Sequence, residues 1–301
     1  MTLDGRFATL CGYTQGELES AFADHLAGVD LAEVKQWYNG YNFLGEPVYN
    51  PFDVLLYLDS REFRPWWFET GTPTFLINLL QTRRYNIPDL ENLEAGEELL
   101  GTFDVDRIEP EALLFQTGYL TIRERYQRSG LYRYRLRYPN FEVRASLPTA
   151  ILNAYVPNMQ DRLRTEDRIY AALEADEPDG LYRAFHAFFA SIPHDWHRRN
   201  AIADYEGYWA SVVYCYFAAL GLAVTPEDAT NRGRIDLSIV FAGRVYLLEF
   251  KVVESSEAGR ALAQLQARGY AEKFAGMPVT LIGMEFSREQ RNLVGFEWAH
   301  G

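Results

Sequence analysis

Arg234-Ile-Asp236-Leu-Ser-Ile-Val-Phe-Ala-Gly-Arg-Val-Tyr-Leu-Leu-Glu249-Phe-Lys251 is the stretch that decides how this chain is read. Two runs rich in β-branched and aromatic residues flank Ala242-Gly243, which is the pattern of a hairpin. A two-residue loop pairs Phe241 with Arg244, and counting back puts Asp236 directly opposite Glu249. Directly opposed residues have Cβ atoms roughly 5 Å apart. Side chains two apart share a face, so Lys251 points the same way as Glu249, and Arg234 falls opposite Lys251. A type I′ turn demands positive φ at Ala242, and a longer loop with a bulge at Gly243 is the other way to close the hairpin.

Two carboxylates and an ammonium then meet on one face of an apolar hairpin. Burying carboxylates is costly unless they are paired or hold a cation. Mg²⁺ prefers oxygen ligands, often one or two carboxylates with waters completing the shell. Such an ion orients a phosphodiester and acidifies a bound water. Asp236 and Glu249 therefore read as ligands of Mg²⁺ or Mn²⁺, and Lys251 as the group that holds the attacking water or offsets charge on the phosphate. Arg234 reads as a phosphate contact or as compensation for the carboxylates. The competing reading is a buried salt bridge of Lys251 with Glu249 or Asp236.

The length of 301 residues suggests two domains, and a hydrophobic content of 48% is ample for two cores. The formal net charge of −13 counts against a tight, non-specific DNA binder, because phosphate neutralisation drives that affinity. An ion at the acid pair would mask part of the local acidity. Cys11 and Cys215 are far apart and form no metal-ligand pattern, so they read as free thiols of a reducing, cytoplasmic setting. Met1-Thr-Leu-Asp-Gly-Arg6 contains no apolar run and is not a signal peptide. Residues 207–226 carry no charge, the length of a membrane span. Gly221 and Pro226 interrupt them, so a buried helix over about 204–220 and a strand over 222–225 are expected, with no membrane partner.

Upstream, Thr14 with Glu17 has the spacing of a capping box, and Pro51 suits a helix start. The apolar positions that follow have helical spacing and read as core. Glu111–Thr117 reads as a short helix, followed by a hairpin of residues 119–126 and 131–138 around Ser129-Gly130. Arg133, Arg135 and Arg137 share one face of its second strand, opposite Tyr132, Tyr134, Leu136 and Tyr138. A helix followed by a basic hairpin resembles a winged-helix module, whose wing would contact phosphates. A solvated strand face with cross-strand pairs to Glu124 is the favoured reading, since alternation alone supplies one polar face. His194 and His197 are three apart but follow Pro193, and no metal role is expected of them.

An Asp, an apolar hairpin and Glu249-Phe-Lys251 resemble the PD-(D/E)XK nuclease superfamily. Gly233-Arg-Ile-Asp236-Leu, Gln264, Gly269-Tyr270-Ala-Glu-Lys-Phe274 and Leu281-Ile-Gly283 resemble, more narrowly, the nuclease-like domain of bacterial AAA-ATPase-like fusion proteins. Ala8-Thr-Leu-Cys-Gly-Tyr-Thr14, Trp37-Tyr-Asn-Gly-Tyr-Asn-Phe43, Val48-Tyr-Asn-Pro-Phe52, Gly71-Thr-Pro73, Gln116-Thr-Gly-Tyr-Leu120 and Tyr138-Pro-Asn140 resemble the C-terminal part of the ATPase-like region. The resemblance implies an α/β protein. Residues 1–158 would be an ATPase-like remnant, mostly helical, with a winged-helix-like part at about 109–145. Residues 159–199 would be a helical connector, and residues 200–301 a restriction-endonuclease-like α-β-β-β-α-β domain. It also implies a supporting metal role for Glu206, an active-site hydrogen bond from Gln264, and the carbonyl of Phe250 as a third metal ligand. Arg268 lies one turn beyond Gln264, and Tyr270 is expected to fill the core.

The function so implied is metal-dependent hydrolysis of DNA phosphodiester bonds, with RNA as the other nucleic-acid candidate. The alternative is an inert nuclease-fold module that binds DNA or regulates an ATPase partner in signalling or defence. The sequence has no Gly-x-x-x-x-Gly-Lys-Ser/Thr loop to cradle phosphates, so ATP hydrolysis by this chain is not expected. Either the chain is a C-terminal fragment or the N-terminal ATPase half has been lost.

Overall fold

The computed structural model describes residues 3–70, 73–101, 109–156, 158–192, 207–230, 233–253 and 260–301. They form two compact units, Met1–Leu80 with Leu90–Ala150, and Gln81–Asp89 with Ile151–Gly301. Helices and strands are mixed in both.

The first unit opens with α1 (Gln15–Ala21), whose expected capping box is formed: Thr14 N–H donates to Glu17 and Glu17 N–H to Thr14 Oγ1. Asp30 caps α2 (Leu31–Tyr38) and Asn50 caps α3 (Pro51–Ser60), which begins at a proline. Leu18, Val34, Tyr38, Tyr49, Val54, Tyr57 and Leu58 form the core between them. The short strands β1 (Asn39–Tyr41) and β2 (Val48–Tyr49) pair beside it. The helices α4 (Trp66–Glu69) and α5 (Thr74–Thr82) follow, then β3 (Leu93–Gly96), α6 (Glu97–Gly101) and α7 (Pro110–Gln116). The expected hairpin is present as β4 (Thr121–Arg128) and β5 (Leu131–Arg137), and β3 joins the free side of β5. That third strand supplies partners for the basic face. Arg135 pairs with Glu94 at 3.3 Å and with Glu124 at 3.0 Å, while Arg133 and Arg137 are exposed.

A buried acid pair ties this unit together. Asp53 lies in the first turn of α3 and Glu142 in the first turn of α8 (Phe141–Tyr155), and both are wholly buried. The two carboxyl groups are close enough to share a hydrogen bond once one of them is protonated. The N–H of Trp67, in the first turn of α4, donates to Glu142 Oε1 at 2.8 Å. Three helix starts thus converge on the pair, an arrangement that favours one negative charge there. Burial pushes Asp53 up to about 6, and burial together with the charge of Asp53 pushes Glu142 up to about 9. At neutral pH Glu142 carries the proton and donates it to the Asp53 carboxylate.

In the second unit α9 (Met159–Ala175) and α10 (Pro178–Ser191) precede α11 (Gly207–Ala219). Residues 159–192 thus cluster with the C-terminal sheet rather than standing apart as a connector. Arg244 donates to the carbonyl of Leu173, and Tyr246 to Asp176. The five strands are β6 (Ala223–Thr230), β7 (Gly233–Phe241), β8 (Arg244–Val252), β9 (Val279–Ser287) and β10 (Asn292–His300), in the order β10-β9-β8-β7-β6. Only β8 and β9 are parallel, and α12 (Arg260–Arg268) connects them, as a parallel pair requires. β6 runs past Pro226, where the sequence suggested it would stop. It is an edge strand, the place where a sheet tolerates proline. The final segment, β10, is a full strand that pairs antiparallel with β9.

α12 covers one face of the sheet, with Leu265 and Tyr270 packed on Ile235, Val245, Leu247, Val279 and Leu281. α11 is buried all round: Trp209 stacks on Phe286 at 5.2 Å, and Phe185 and Phe188 pack on Tyr216. This all-round burial is why its sequence carries no charge. No described helix is long and apolar enough to cross a membrane. Cys11 is exposed, Cys215 is buried, and both are free thiols.

Candidate metal centre

The hairpin closes through a two-residue turn, with Ala242 at φ 47° and Gly243 at φ 74°. Its register pairs Phe241 with Arg244 and runs to Leu237 opposite Leu248. The next pair would be Asp236 and Glu249, and there the ladder opens. In this register Phe250 N–H would meet a main-chain carbonyl of β7. Instead it donates to Asp236 Oδ2 at 2.8 Å. The carboxylate has taken the place of a strand, and the two chains part around it. In a strand the N–H and C=O of one residue face the same neighbour, so the Phe250 carbonyl is turned toward Asp236.

Glu249 faces α12 and is 2% exposed. Gln264 donates to its Oε1, and Lys251 Nζ lies 3.5 Å from the same oxygen. Its Oε2 has no hydrogen-bond partner among the described residues. Burial first, and the charge of Asp236 second, push Glu249 up to about 7. Burial also raises Asp236, against the pull of the Phe250 N–H and of Lys251. The salt-bridge reading is thus partly realised, but it leaves one buried oxygen of Glu249 without a partner. A donor set of two carboxylates and one carbonyl, with an orphaned buried oxygen and raised acid pKa values, fits a hard divalent cation. Among the described residues no group of three or more His, Cys, Asp or Glu could hold a metal ion, so the centre has two acids and depends on the carbonyl for its third protein donor.

A cleft of about 280 Å³ meets this centre, lined by Asp236, Lys251, Phe250, Trp209, Phe286 and Asn86. It also reaches Gly207. Glu206 lies outside the described residues, as do His194 and His197. Arg234 does not oppose Lys251, because the ladder has already parted. Arg234 turns to β6 and pairs with Glu227 at 3.0 Å. The sequence assigned Arg268 no role, yet its charge acts on both Asp236 and Glu249. The available signal was its i+4 spacing from Gln264. Tyr270 does fill the core with its ring, but its hydroxyl is engaged by Arg268.

Gly283 sets how closely α12 approaches. It stands beside Glu249 in the parallel register. A Cβ there would lie 2.4 Å from Leu262 N and 3.0 Å from the Ala261 carbonyl carbon. Backbone cannot yield as a flexible side chain would, so Gly283→Ala is expected to push α12 outward and lower stability by about 1–3 kcal/mol. Thermal unfolding reads the loss. Mn²⁺ titration should show weakened binding as well, because Gln264 moves away from Glu249.

Residues 204–296 match the PD-(D/E)XK nuclease superfamily. The chain is 54% identical over 298 residues to a protein of Azotobacter chroococcum mcd 1 described as an uncharacterized protein in the vnfD 5′ region. That match takes in 98% of this chain and 58% of the relative, so the chain spans little more than half the length of the relative it matches. No solved structure matches the chain.

Proposed function

We propose that the C-terminal unit is a metal-dependent nuclease that hydrolyses DNA phosphodiester bonds. The observation that carries this reading is the Glu249 carboxylate, buried and held by Gln264 through one oxygen, with the other left without a partner next to Asp236. The superfamily match over 204–296 supports the same chemistry. Asp236, Glu249 and the Phe250 carbonyl would hold Mg²⁺ or Mn²⁺, with Glu206 in support. The cation, when bound, acidifies water and offsets phosphate charge. Gln264 fixes the Glu249 carboxylate so that its free oxygen stays presented. Lys251, part-exposed and next to Glu249, orients the attacking water and balances the charge that grows on the phosphoryl oxygens, while the water's proton leaves to solvent. Water oxygen bonds to phosphorus as the P–O bond to the leaving nucleotide breaks.

The basic hairpin of the first unit takes a secondary role here. Arg133 and Arg137 would contact phosphates, whereas Arg135 is committed to Glu94 and Glu124. The resemblance to ATPase-linked proteins makes an ATPase-like region, in the same polypeptide or in a partner, the expected companion.

Cleavage of labelled DNA with Mg²⁺ or Mn²⁺ tests the reading. Wild type is expected to cut, with Asp236→Ala and Lys251→Ala slower by about a hundredfold or more. Equal rates in all three, or no cleavage by any, would overturn it. Absence of Mn²⁺ binding by calorimetry would favour the inert module.

A further inference from the structure

Arg268 ends α12 one turn after Gln264, so both side chains leave the same face of the helix. It is exposed, and its charge acts on Asp236 and Glu249. The cations around it are engaged by acids: Arg234 by Glu227 and Lys273 by Asp228. Arg268 is held differently. Its Nη1 donates to the neutral hydroxyl of Tyr270 at 2.6 Å, and that hydroxyl donates to the carbonyl of Arg234 at 2.7 Å. The Tyr270 ring is buried, so the anchor is rigid. Gly233 makes room for it: a Cβ there would lie 2.7 Å from the Tyr270 hydroxyl and 3.0 Å from Arg268 Nη1. A guanidinium has five donors, and among the described residues the Tyr270 hydroxyl takes one of them while no carboxylate pairs with the group, which leaves most of its fork open.

We propose that Arg268, positioned by the Tyr270 hydroxyl, grips a phosphate of the nucleic-acid strand next to the acid pair. This rests on the nuclease reading above. A fork held against a neutral tether is suited to bidentate phosphate binding. It also gives an acidic protein a local cation where the polyanion must approach two carboxylates.

The test measures DNA binding without chemistry. Anisotropy of a fluorescein-labelled oligonucleotide in EDTA compares wild type with Arg268→Gln, Arg268→Lys and Tyr270→Phe. Arg268→Gln is expected to weaken binding about tenfold to a hundredfold. Lys should recover part of the loss, and Tyr270→Phe should lose a few-fold with the ring kept in place. Mn²⁺ affinity by calorimetry should stay within about twofold of wild type, and cleavage kinetics should show KM rising more than kcat falls. Unchanged DNA binding in Arg268→Gln would overturn the inference and leave the nuclease reading standing. A parallel loss of Mn²⁺ affinity would also overturn it, by assigning Arg268 to the acid pair. Wild type that neither cuts DNA nor binds Mn²⁺ would overturn the nuclease reading and this inference with it.

Discussion

Between pH 6 and pH 9 the first unit is expected to lose stability steadily, and Glu142→Gln is expected to abolish that loss. The folded Glu142 titrates at about 9 against an ordinary 4.5. A raised acid contributes stability that is complete below the unfolded value and disappears as pH climbs through the folded one. Asp53 finishes its own, smaller loss by about pH 6, so the slope above that belongs to Glu142. The loss over the interval is on the order of a few kcal/mol, which lowers the melting temperature by several degrees for a unit of this size. Glutamine is isosteric with the protonated acid and keeps both contacts, accepting from Trp67 and donating to Asp53. Melting curves at half-unit pH steps check the outcome, and an identical slope in the variant would show that Glu142 does not hold the proton.

Glu249→Gln is expected to move stability and cation binding in opposite directions. Above pH 7 the folded chain must bury a charged Glu249 next to Asp236, and a rise from 4.5 to about 7 corresponds to roughly 3 kcal/mol. Neutral glutamine removes that penalty, so the second unit should melt higher at pH 8. It also removes a charged ligand, and Mn²⁺ affinity should fall by about a hundredfold or more. This is the usual exchange between stability and a site kept ready for function. If Glu249→Gln melted several degrees lower instead, the carboxylate would be a structural partner of Lys251, and the metal assignment would fail.

The hairpin was legible because its signals are local. Apolar runs on either side of Ala242-Gly243 specify the turn, and the turn specifies the register that the structure holds as far as Leu237 and Leu248. The opening at Asp236 was not legible, since a side chain displacing a main-chain acceptor leaves no trace in periodicity. Arg234 was misplaced for that reason. The strand through Pro226 was cut short because its position at the sheet edge depends on topology, not on neighbours in sequence. Gln264 entered through resemblance, while Arg268 and Tyr270 became informative only once α12 was seated over β8 and β9. The Asp53–Glu142 pair joins residues 89 positions apart, and no local pattern announces a contact made by three separate helix starts.

The turn at Ala242 and Gly243 governs chemistry it never touches. It lies about five residues from the acids, roughly 17 Å along the strands. Yet its length fixes the parity of the whole ladder. One residue inserted there, with the tight turn kept, would slide β8 by one step and set Leu248 rather than Glu249 against Asp236. Such an insertion would leave a loop that looks harmless on the surface and a hairpin whose two acids no longer meet.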